Sequence, residues 1–248
     1  MDRLIYLSAT AARNAELRQE NVAHNLANAN TSGFRAQMVA FRSAAVEGPG
    51  MPVRAYSAES TAGADFSPGV LQATGRDTDL AIIGKGWFAV KDSKGNEAYT
   101  RDGRLHVDAQ GNVVNGRGDA VVGDGGAVLN VPQDNTIEVA IDGTISAVPL
   151  NGSRANTITV GRLKLVNPEE KNLLRGDDGL FRQRNNAPAA ADPAVQIASG
   201  QIETSNVNPV ESMVQMISAQ RMFDMQLKMI SSAEANAKSA NPLFSTNQ

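Results

Sequence analysis

The sequence predicts an α+β protein with two long terminal helices that pair as a coiled coil and a central antiparallel β-rich domain. Both ends of the chain carry apolar residues at helical spacing, and residues 3–28 contain no glycine or proline. The middle consists of short β-branched and aromatic runs between Gly, Asn and Asp turns, which is typical of antiparallel sheets. We therefore expect helical core-forming termini (1–33 and 205–248), an extended connector (34–69) and a β-rich domain (70–204).

The N-terminal helix is predicted over residues 3–28, with a narrow apolar face that is rich in alanine. The positions of this face recur at 11-residue intervals, which favours a slight right-handed drift over a strict heptad. The face consists of Leu4, Leu7, Ala11, Ala15, Val22, Leu26 and Ala29. A helix with so little apolar surface is marginal alone and needs a partner. Gly33 readily takes the left-handed conformation, so we expect it to close this helix.

The C-terminal helix has a clear start signal. Asn208 is placed to act as the N-cap, Pro209 falls at the first helical position and Glu211 at the third, which is a variant of the capping box. The helix is expected to reach about Ser239, just before Asn241-Pro242. Apolar residues at alternating steps of three and four predict a heptad seam. The seam consists of Met213, Met216, Gln220, Phe223, Leu227, Ile230, Glu234 and Ala237.

The same helix carries five of the eight methionines of the chain. Its apolar arc is widened beyond the seam by Ile217, Met222, Met225 and Met229. An ordinary core helix is the alternative interpretation. The arc is too wide for a single antiparallel partner, and methionine adapts to several packing surfaces. We therefore predict a helix that is buried on more than one side.

Residues 70–166 have the pattern of a β domain. Asp142-Gly143 lies between apolar runs at 137–141 and 144–148, and this dipeptide readily supplies the positive φ of a hairpin turn. Residues 158–166 are a further strand candidate. Short strands with turns at this spacing predict an antiparallel sandwich or a partly open barrel.

The flanking segments carry weaker signals. Residues 34–47 fit one more short helix or an extended arm. Residues 48–69 are rich in Gly, Pro, Ser, Thr and Ala, so they are expected to be an extended connector with little core of its own. Residues 167–196 are polar and are expected to form a loop.

Composition excludes several classes of function. The net charge is −3, and lysines and arginines are scattered singly, so no nucleic-acid-binding face is expected. The chain has no cysteine and therefore no disulfide or thiolate chemistry. No apolar stretch approaches the roughly 18–20 residues of a membrane span, so no direct membrane insertion is expected. The first apolar run ends after Leu7, so we expect no cleavable signal peptide.

No residues stand out as catalytic, cofactor-binding or metal-binding, and we expect the protein not to be an enzyme. The two histidines, His24 and His106, fall in different elements. Gly84-Lys85-Gly86 lacks the spacing of a phosphate-binding loop and is interpreted as a tight turn. The Arg-Gly-Asp tripeptides at 117–119 and 175–177 arise easily by chance in glycine-rich sequence.

Five segments resemble the bacterial flagellar rod and hook proteins. The N-terminal signature is NVAHNLANANTSGF at 21–34, and the C-terminal signature is IETSNVNPVESMVQMISAQRMFDMQLKMI at 202–230. The intervening matches are TGRDTDLAIIGKGWFAV (74–90), YTRDGRLHVDAQGNVV (99–114) and DGTISAV (142–148). The resemblance covers essentially the whole chain. It departs locally at His24, where the family has asparagine.

Within this family the chain is most similar to the proximal rod branch. The opening MDRLIY, GRLKLV at 161–166 and RGDDGLFR at 175–182 carry that similarity. The resemblance implies a structural subunit that leaves the cytoplasm unprocessed through the flagellar type III export apparatus. It implies polymerisation into a hollow helical drive shaft that spans the periplasm, transmits torque and encloses the export channel.

The implied partners are other copies of the chain, other proximal and distal rod proteins, membrane-ring and rod-adaptor proteins, and the export apparatus. We expect the terminal helices to be largely disordered in the free subunit, because they lack a partner surface there. The predicted subunit-interface residues are Leu4, Leu7, Val22, Leu26, Asn28, Phe34, Val210, Met213, Met216, Ile217, Phe223, Leu227 and Ile230. The competing hypothesis is an enzyme or carbohydrate-binding β domain with helical dimerisation arms, and it requires a convergent polar pocket within 70–204.

Overall fold

A computed structural model describes most of the chain: residues 2–45, 55–132, 135–149 and 157–245. The chain divides into two compact units. The first, the helical unit, comprises Met1–Ala29, Gln37–Asp65 and Val207–Gln248. The second, the β unit, comprises Asn30–Ala36 and Phe66–Asn206.

This division differs from the boundaries expected at 33/34, 69/70 and 204/205. Residues 30–36 belong to the β unit, because their main chain is hydrogen-bonded to residues 203–206. Residues 37–65 belong to the helical unit, because the strands that they form contact the N-terminal helix.

The helical unit is built from two long helices and one pair of strands. Helix α1 spans Asp2–Ala27, helix α2 spans Pro209–Ser245, and the two pack against each other. Strands β1 (Gln37–Ala45) and β2 (Ala55–Ala64) form an antiparallel pair that contacts α1. The connector expected over 48–69 therefore contains a strand. Main-chain pairing stabilises this strand, and that needs no large apolar side chains.

The start of α2 confirms the predicted cap. Asn208 Oδ1 accepts hydrogen bonds from the backbone N–H of Val210 (3.1 Å) and Glu211 (3.3 Å). The end of the helix is later than predicted, since α2 continues past Ser239 and through Pro242. A proline near the end of a helix removes only one ladder donor, so it does not force the helix to stop there.

The packed face of α2 follows a heptad that differs from the predicted seam at every second position. The buried and half-buried residues along it are Ser212, Met216, Ala219, Phe223, Gln226, Ile230, Ala233 and Ala237. The predicted members Met213, Gln220, Leu227 and Glu234 are exposed. Three of the four residues that replace them, Ser212, Ala219 and Ala233, are small, and small residues let two helix backbones approach closely.

The β unit is antiparallel in all the strand pairs of the described residues. Its first strands are β3 (Leu71–Ala73), β4 (Leu80–Ile83), β5 (Trp87–Lys91), β6 (Glu97–Thr100), β7 (His106–Val107), β8 (Val113–Val114) and β9 (Ala120–Val121). They are followed by β10 (Asn135–Val139), β11 (Thr144–Pro149), β12 (Ile158–Arg162), β13 (Leu165–Val166), β14 (Leu173–Arg175), β15 (Phe181–Gln183), β16 (Gln196–Ser199) and β17 (Gln201–Glu203). A short 3-10 helix, Glu170–Asn172, precedes β14.

The strands form one large sheet and three smaller ones. The large sheet has the order β14-β15-β6-β5-β9-β8-β7, with β13 also paired to β5, and the second has the order β10-β11-β12. The remaining strands pair as β16-β4 and β17-β3. The core is formed by buried side chains that include Leu80, Phe88, Val90, Leu105, Ile145, Leu163, Leu180 and Ile197.

Two local expectations for the β unit have different outcomes. The Asp142-Gly143 hairpin is confirmed: it joins β10 to β11, Gly143 has φ 87°, and Asp142 Oδ1 accepts the Thr144 N–H at 3.0 Å. The loop expected over 167–196 was wrong in part, because it contains β14 and β15. β14 pairs with β15 as a local hairpin, and β15 joins the large sheet through β6, which is distant in sequence. Local polarity did not reveal this pairing.

A substitution at Gly33 tests how tightly residues 30–36 pack in the β unit. It has φ 65°, and a Cβ there would lie 2.2 Å from the backbone carbon of Arg101. We expect Gly33→Ala to lower the free energy of unfolding of the β unit by about 3 kcal/mol or more, since strain and overpacking add. Urea unfolding followed by the fluorescence of Trp87, the only tryptophan, measures this. Gly75→Ala is the control, because its φ of 73° is similar but its surroundings are open; it should cost about 1 kcal/mol.

The turn between β5 and β6 predicts a dependence of stability on pH. Burial raises the pKa of Asp92, but hydrogen bonds from Arg182 and from the backbone N–H groups of Asn96 and Lys94 outweigh it and lower this pKa to about 2. A depressed carboxyl pKa stabilises the fold above the unfolded value of 3.8, and that contribution is lost as the pH falls towards 2.

We therefore expect the wild type to lose on the order of 1 kcal/mol of stability between about pH 4 and pH 2 that Asp92→Asn does not lose. Urea midpoints at a series of pH values measure the difference. The exposed Asp77→Asn variant should retain the wild-type pH dependence. An unchanged profile for Asp92→Asn would contradict this assignment.

Candidate assembly surfaces

The first two turns of α2 carry an apolar face on the side away from the packed seam. Val210, Met213, Val214 and Ile217 are 71%, 52%, 63% and 55% exposed. Their spacing of three, four and seven residues places them on one stripe, roughly half a helical turn from Ser212 and the rest of the seam. We call these four residues the outward face of α2.

Exposed apolar side chains continue beyond the outward face. Met225, Leu227 and Met229 on α2, and Tyr6 and Leu7 on α1, are all between 43% and 62% exposed. Both helices of the helical unit therefore present large apolar side chains to solvent. Large exposed apolar surface is characteristic of a protein–protein contact.

The structure places the predicted interface residues in three different environments. The exposed ones are Leu7, Val210, Met213, Ile217 and Leu227. The half-buried ones are Leu26, Asn28, Met216, Phe223 and Ile230. Val22 and Phe34 are buried within their own units, and the side chain of Leu4 lies outside the described residues. Their role in contacts between subunits stays a prediction, which the exposed set suits best.

Asn25 connects the last turn of α1 to strand β1. Its Oδ1 accepts the Gln37 N–H at 2.8 Å, and its Nδ2 donates to Gln37 O at 2.8 Å. The amide thus pairs with the backbone of one residue as a neighbouring strand would. This role explains an asparagine in the NLAN signature.

Residues 30–36, which we call the crossing segment, lie within the β unit and are held there by main-chain hydrogen bonds. The Gly33 N–H donates to Glu203 O at 2.8 Å, and the Ala36 N–H donates to Asn206 Oδ1 at 2.7 Å. Phe34 O accepts the Asn206 N–H at 3.3 Å. The crossing segment therefore pairs with the last residues of the β unit, about 170 positions later in the chain.

A buried cluster of one carboxylate and two guanidinium groups fixes the crossing segment. Glu203 Oε1 lies 2.6 Å from Arg35 Nη1, and Glu203 Oε2 lies 2.9 Å from Arg101 Nη1. The side chains of Arg35, Glu203 and Arg101 are 1%, 1% and 6% exposed. Oε1 also accepts the Gly69 N–H at 2.8 Å, and Arg101 Nη2 donates to Gly84 O at 2.7 Å. We call Arg35, Glu203 and Arg101 the Arg–Glu–Arg cluster.

An aromatic surface completes the cluster. The guanidinium carbons of Arg35 and Arg101 lie 5.9 and 5.5 Å from the ring centroid of Trp87, within the range of a cation–π contact. Trp87 in turn packs on Phe181 and Phe66. Burial lowers the pKa of Arg101, and Arg35 adds to this while Glu203 opposes it. The charged form is thus maintained by Glu203 against the cost of burial.

The arginines of both Arg-Gly-Asp tripeptides make contacts inside the β unit. Arg175 stacks 4.4 Å from the Phe34 ring and donates to Arg35 O at 3.0 Å. Arg117 donates to Asp178 O. Burial, and then the charge of Arg117, lowers the pKa of Arg175. These contacts give both arginines a structural role.

The polar cleft of the β unit does not have the features of a reactive site. It has a volume of about 600 Å³ and is lined in part by Asp92, Glu97, Asp178 and Arg182. Arg182 bonds both Asp92 (2.7 Å) and Asp178, and Glu97 pairs with Lys164 at 2.8 Å. Arg182 and Lys164 therefore engage three of the carboxylates of the cleft in ion pairs. Among the described residues there is also no cluster of three His, Asp or Glu side chains suited to a metal ion.

Glu203 should dominate the stability of the Arg–Glu–Arg cluster. Glu203→Gln leaves two buried guanidinium groups without a counter-charge, so we expect the free energy of unfolding to fall by about 3 kcal/mol or more. The exposed Glu169, paired with Lys171 at 2.9 Å, provides the control, and Glu169→Gln should cost less than about 1 kcal/mol. Urea unfolding followed by Trp87 fluorescence compares the two. Equal midpoints for both variants would contradict the assignment.

Two family models match the chain. Residues 81–147 match the D1 domain of flagellar hook protein FlgE/F/G, and residues 198–243 match the C-terminal model of the flagellar basal body rod FlgEFG proteins. No helix among the described residues is long and apolar enough to span a membrane.

Curated relatives match over the full length. The chain is 45% identical to the flagellar basal-body rod protein FlgF of Escherichia coli (strain K12), with 99% of each chain covered. It is equally similar to FlgF of Salmonella typhimurium, again over 99% of both chains, and 32% identical to FlgF of Buchnera aphidicola subsp. Schizaphis graminum over the whole of both. The chain therefore belongs to the flagellar basal-body rod proteins, the structural subunits of the bacterial flagellar rod.

Proposed function

We propose that this subunit polymerises by head-to-tail contacts into a hollow helical drive shaft that encloses the export channel and transmits torque. The observation that carries the proposal is the outward face of α2, where four large apolar residues are exposed opposite the seam that packs on α1. Head-to-tail contacts join unlike surfaces, and they generate a helical tube rather than a ring when the rotation between neighbours does not close.

The terminal helices form the core of this shaft. Within one subunit, α2 pairs with α1 as a coiled coil through the packed heptad that begins at Ser212. Between subunits, the outward face packs against the helices of a neighbouring copy or another rod protein. Burial of Val210, Val214 and Ile217 against such a neighbour gains on the order of 1–2 kcal/mol for each side chain.

The same exposed surfaces favour unfolded helices in the free subunit. A helix pair that leaves so much apolar surface in water is weakly stabilised alone, so the ends are largely disordered before assembly. An unfolded end suits passage through the narrow type III export apparatus. Neighbouring subunits then stabilise the helices by mass action.

Membership of the rod protein family supports the following place for this subunit. It acts without enzymatic activity in the periplasm-spanning basal body, in the proximal part of the rod. Its partners are copies of itself, the other proximal and distal rod proteins, and the membrane-ring and rod-adaptor proteins. The chain reaches this structure through the flagellar export apparatus.

A charge on the outward face should block assembly but leave the β unit intact. We expect Ile217→Asp to reduce the amount of the subunit in purified basal bodies by more than about tenfold, because a buried carboxylate at the contact costs well over 1.4 kcal/mol. The urea midpoint of the β unit, followed by Trp87, should not change. Ser231→Asp, which places the same charge at an exposed polar position of α2, is the matched control and should assemble normally.

Two outcomes would contradict the proposal. Wild-type amounts of Ile217→Asp in basal bodies would show that the outward face is not a subunit contact. Incorporation of a chain that lacks residues 209–248 would show that α2 is not needed for assembly.

A further inference from the structure

The chain passes between the two units four times, and each passage is close in sequence to Asn206 or to a residue that is bonded to Glu203 or Asn206. Two passages lie at the ends of the crossing segment, one at residues 65/66 and one at 206/207. Glu203 bonds Gly33 and Gly69, and Asn206 bonds Ala36. All of these contacts lie inside the β unit.

Asn206 makes several of these connections with one side chain. Its Oδ1 accepts the Ala36 N–H at 2.7 Å, and its Nδ2 donates to Ser67 O at 3.0 Å and to Ser67 Oγ at 3.3 Å. Its backbone N–H donates to Phe34 O at 3.3 Å. The amide thus joins three stretches of chain that are far apart in sequence.

We infer that Glu203, Asn206 and Arg35 are positioning residues that hold the crossing segment on the β unit in the free subunit, before the terminal helices fold. We call this arrangement the crossing clamp. Its partners all belong to the β unit, and Arg35 and Phe34 are buried there. The crossing clamp therefore needs neither α1 nor α2 in order to close.

The consequence concerns the end of α1 and the start of α2. Only two residues lie between Ala27, the end of α1, and Asn30, and only two lie between Asn206 and Pro209, the start of α2. Each connection spans about 10 Å at full extension. The clamp thus attaches the segments that form α1 and α2 to the same folded β unit. Because both connections are short, each segment has a high effective concentration near the other. This inference rests on the proposed assembly function. It adds that the attachment points of α1 and α2 are fixed before assembly begins.

Amide hydrogen exchange on the dilute full-length protein tests the clamp directly. We expect the Gly33 and Ala36 amides to exchange slowly while the amides of residues 5–20 in α1 exchange rapidly. Asn206→Ala removes the acceptor of the Ala36 N–H, so exchange at Ala36 should accelerate by about tenfold. Asn206→Asp retains an acceptor oxygen and should restore part of the protection.

Asn208→Ala is the matched control. Asn208 lies two positions further on and caps α2, so its removal should leave exchange at Gly33 and Ala36 unchanged. A positioning role also predicts that Asn206→Ala lowers incorporation into basal bodies more than it lowers the urea midpoint reported by Trp87. A general loss of stability would move both together.

Failure of the clamp and failure of the assembly proposal give different results. If Gly33 and Ala36 exchange as fast as α1 in the wild type, the clamp is wrong, whereas the Ile217→Asp result stands. If α1 is itself protected in the free subunit, disordered ends are wrong and the Asn206→Ala comparison decides the clamp. Unchanged exchange at Ala36 in Asn206→Ala would overturn it.

Discussion

The ion pairs between Glu203 and the two arginines constrain the rest of the molecule. A carboxylate that is 1% exposed is stable only with full compensation, and here it receives Arg35, Arg101 and the Gly69 N–H. Each of these partners comes from a different part of the chain. The crossing segment, the start of the β unit and its last strand must therefore converge on a single point for the cluster to form.

In the residues that the structure describes, the helical unit is held together by helix packing rather than by a buried ion pair. Its internal seam combines small residues such as Ser212, Ala219 and Ala233 with half-buried larger ones such as Phe223, while other large apolar residues are exposed. Small residues bring two helices close but bury little apolar surface, which limits the free energy that the helix pair gains by itself. The β unit has a continuous core of large side chains. The two units thus differ in how far they depend on neighbours.

Local signals in the sequence were sufficient for the secondary structure at both ends of the chain. Asn208-Pro209 predicts the start of α2 because a cap is a contact among residues three positions apart. The seam of α2 was predicted at only half of its positions. Met213 is more hydrophobic than Ser212, yet close packing of two helices selects the smaller residue, and that choice depends on the partner helix rather than on the local sequence.

The Arg–Glu–Arg cluster could not be found in the same way. Arg35 and Glu203 are separated by most of the chain, and a charged residue beside Phe34 or Ile202 is normally expected at the surface. Gly33 was correctly predicted to favour positive φ, but as a helix terminator. In the fold, its lack of a Cβ instead lets the crossing segment lie against the backbone of Arg101.

A charged cluster at this point also limits the surfaces on which the crossing segment can bind. An apolar anchor would gain similar free energy on any exposed apolar surface, including those of α1 and α2. A charged guanidinium group that is only 1% exposed is stable only where a carboxylate pairs with it. Under the proposed assembly, a polar anchor separates two recognition events. The crossing segment pairs with its own β unit through charge, and the exposed apolar side chains of the helices are left for contacts with neighbouring subunits.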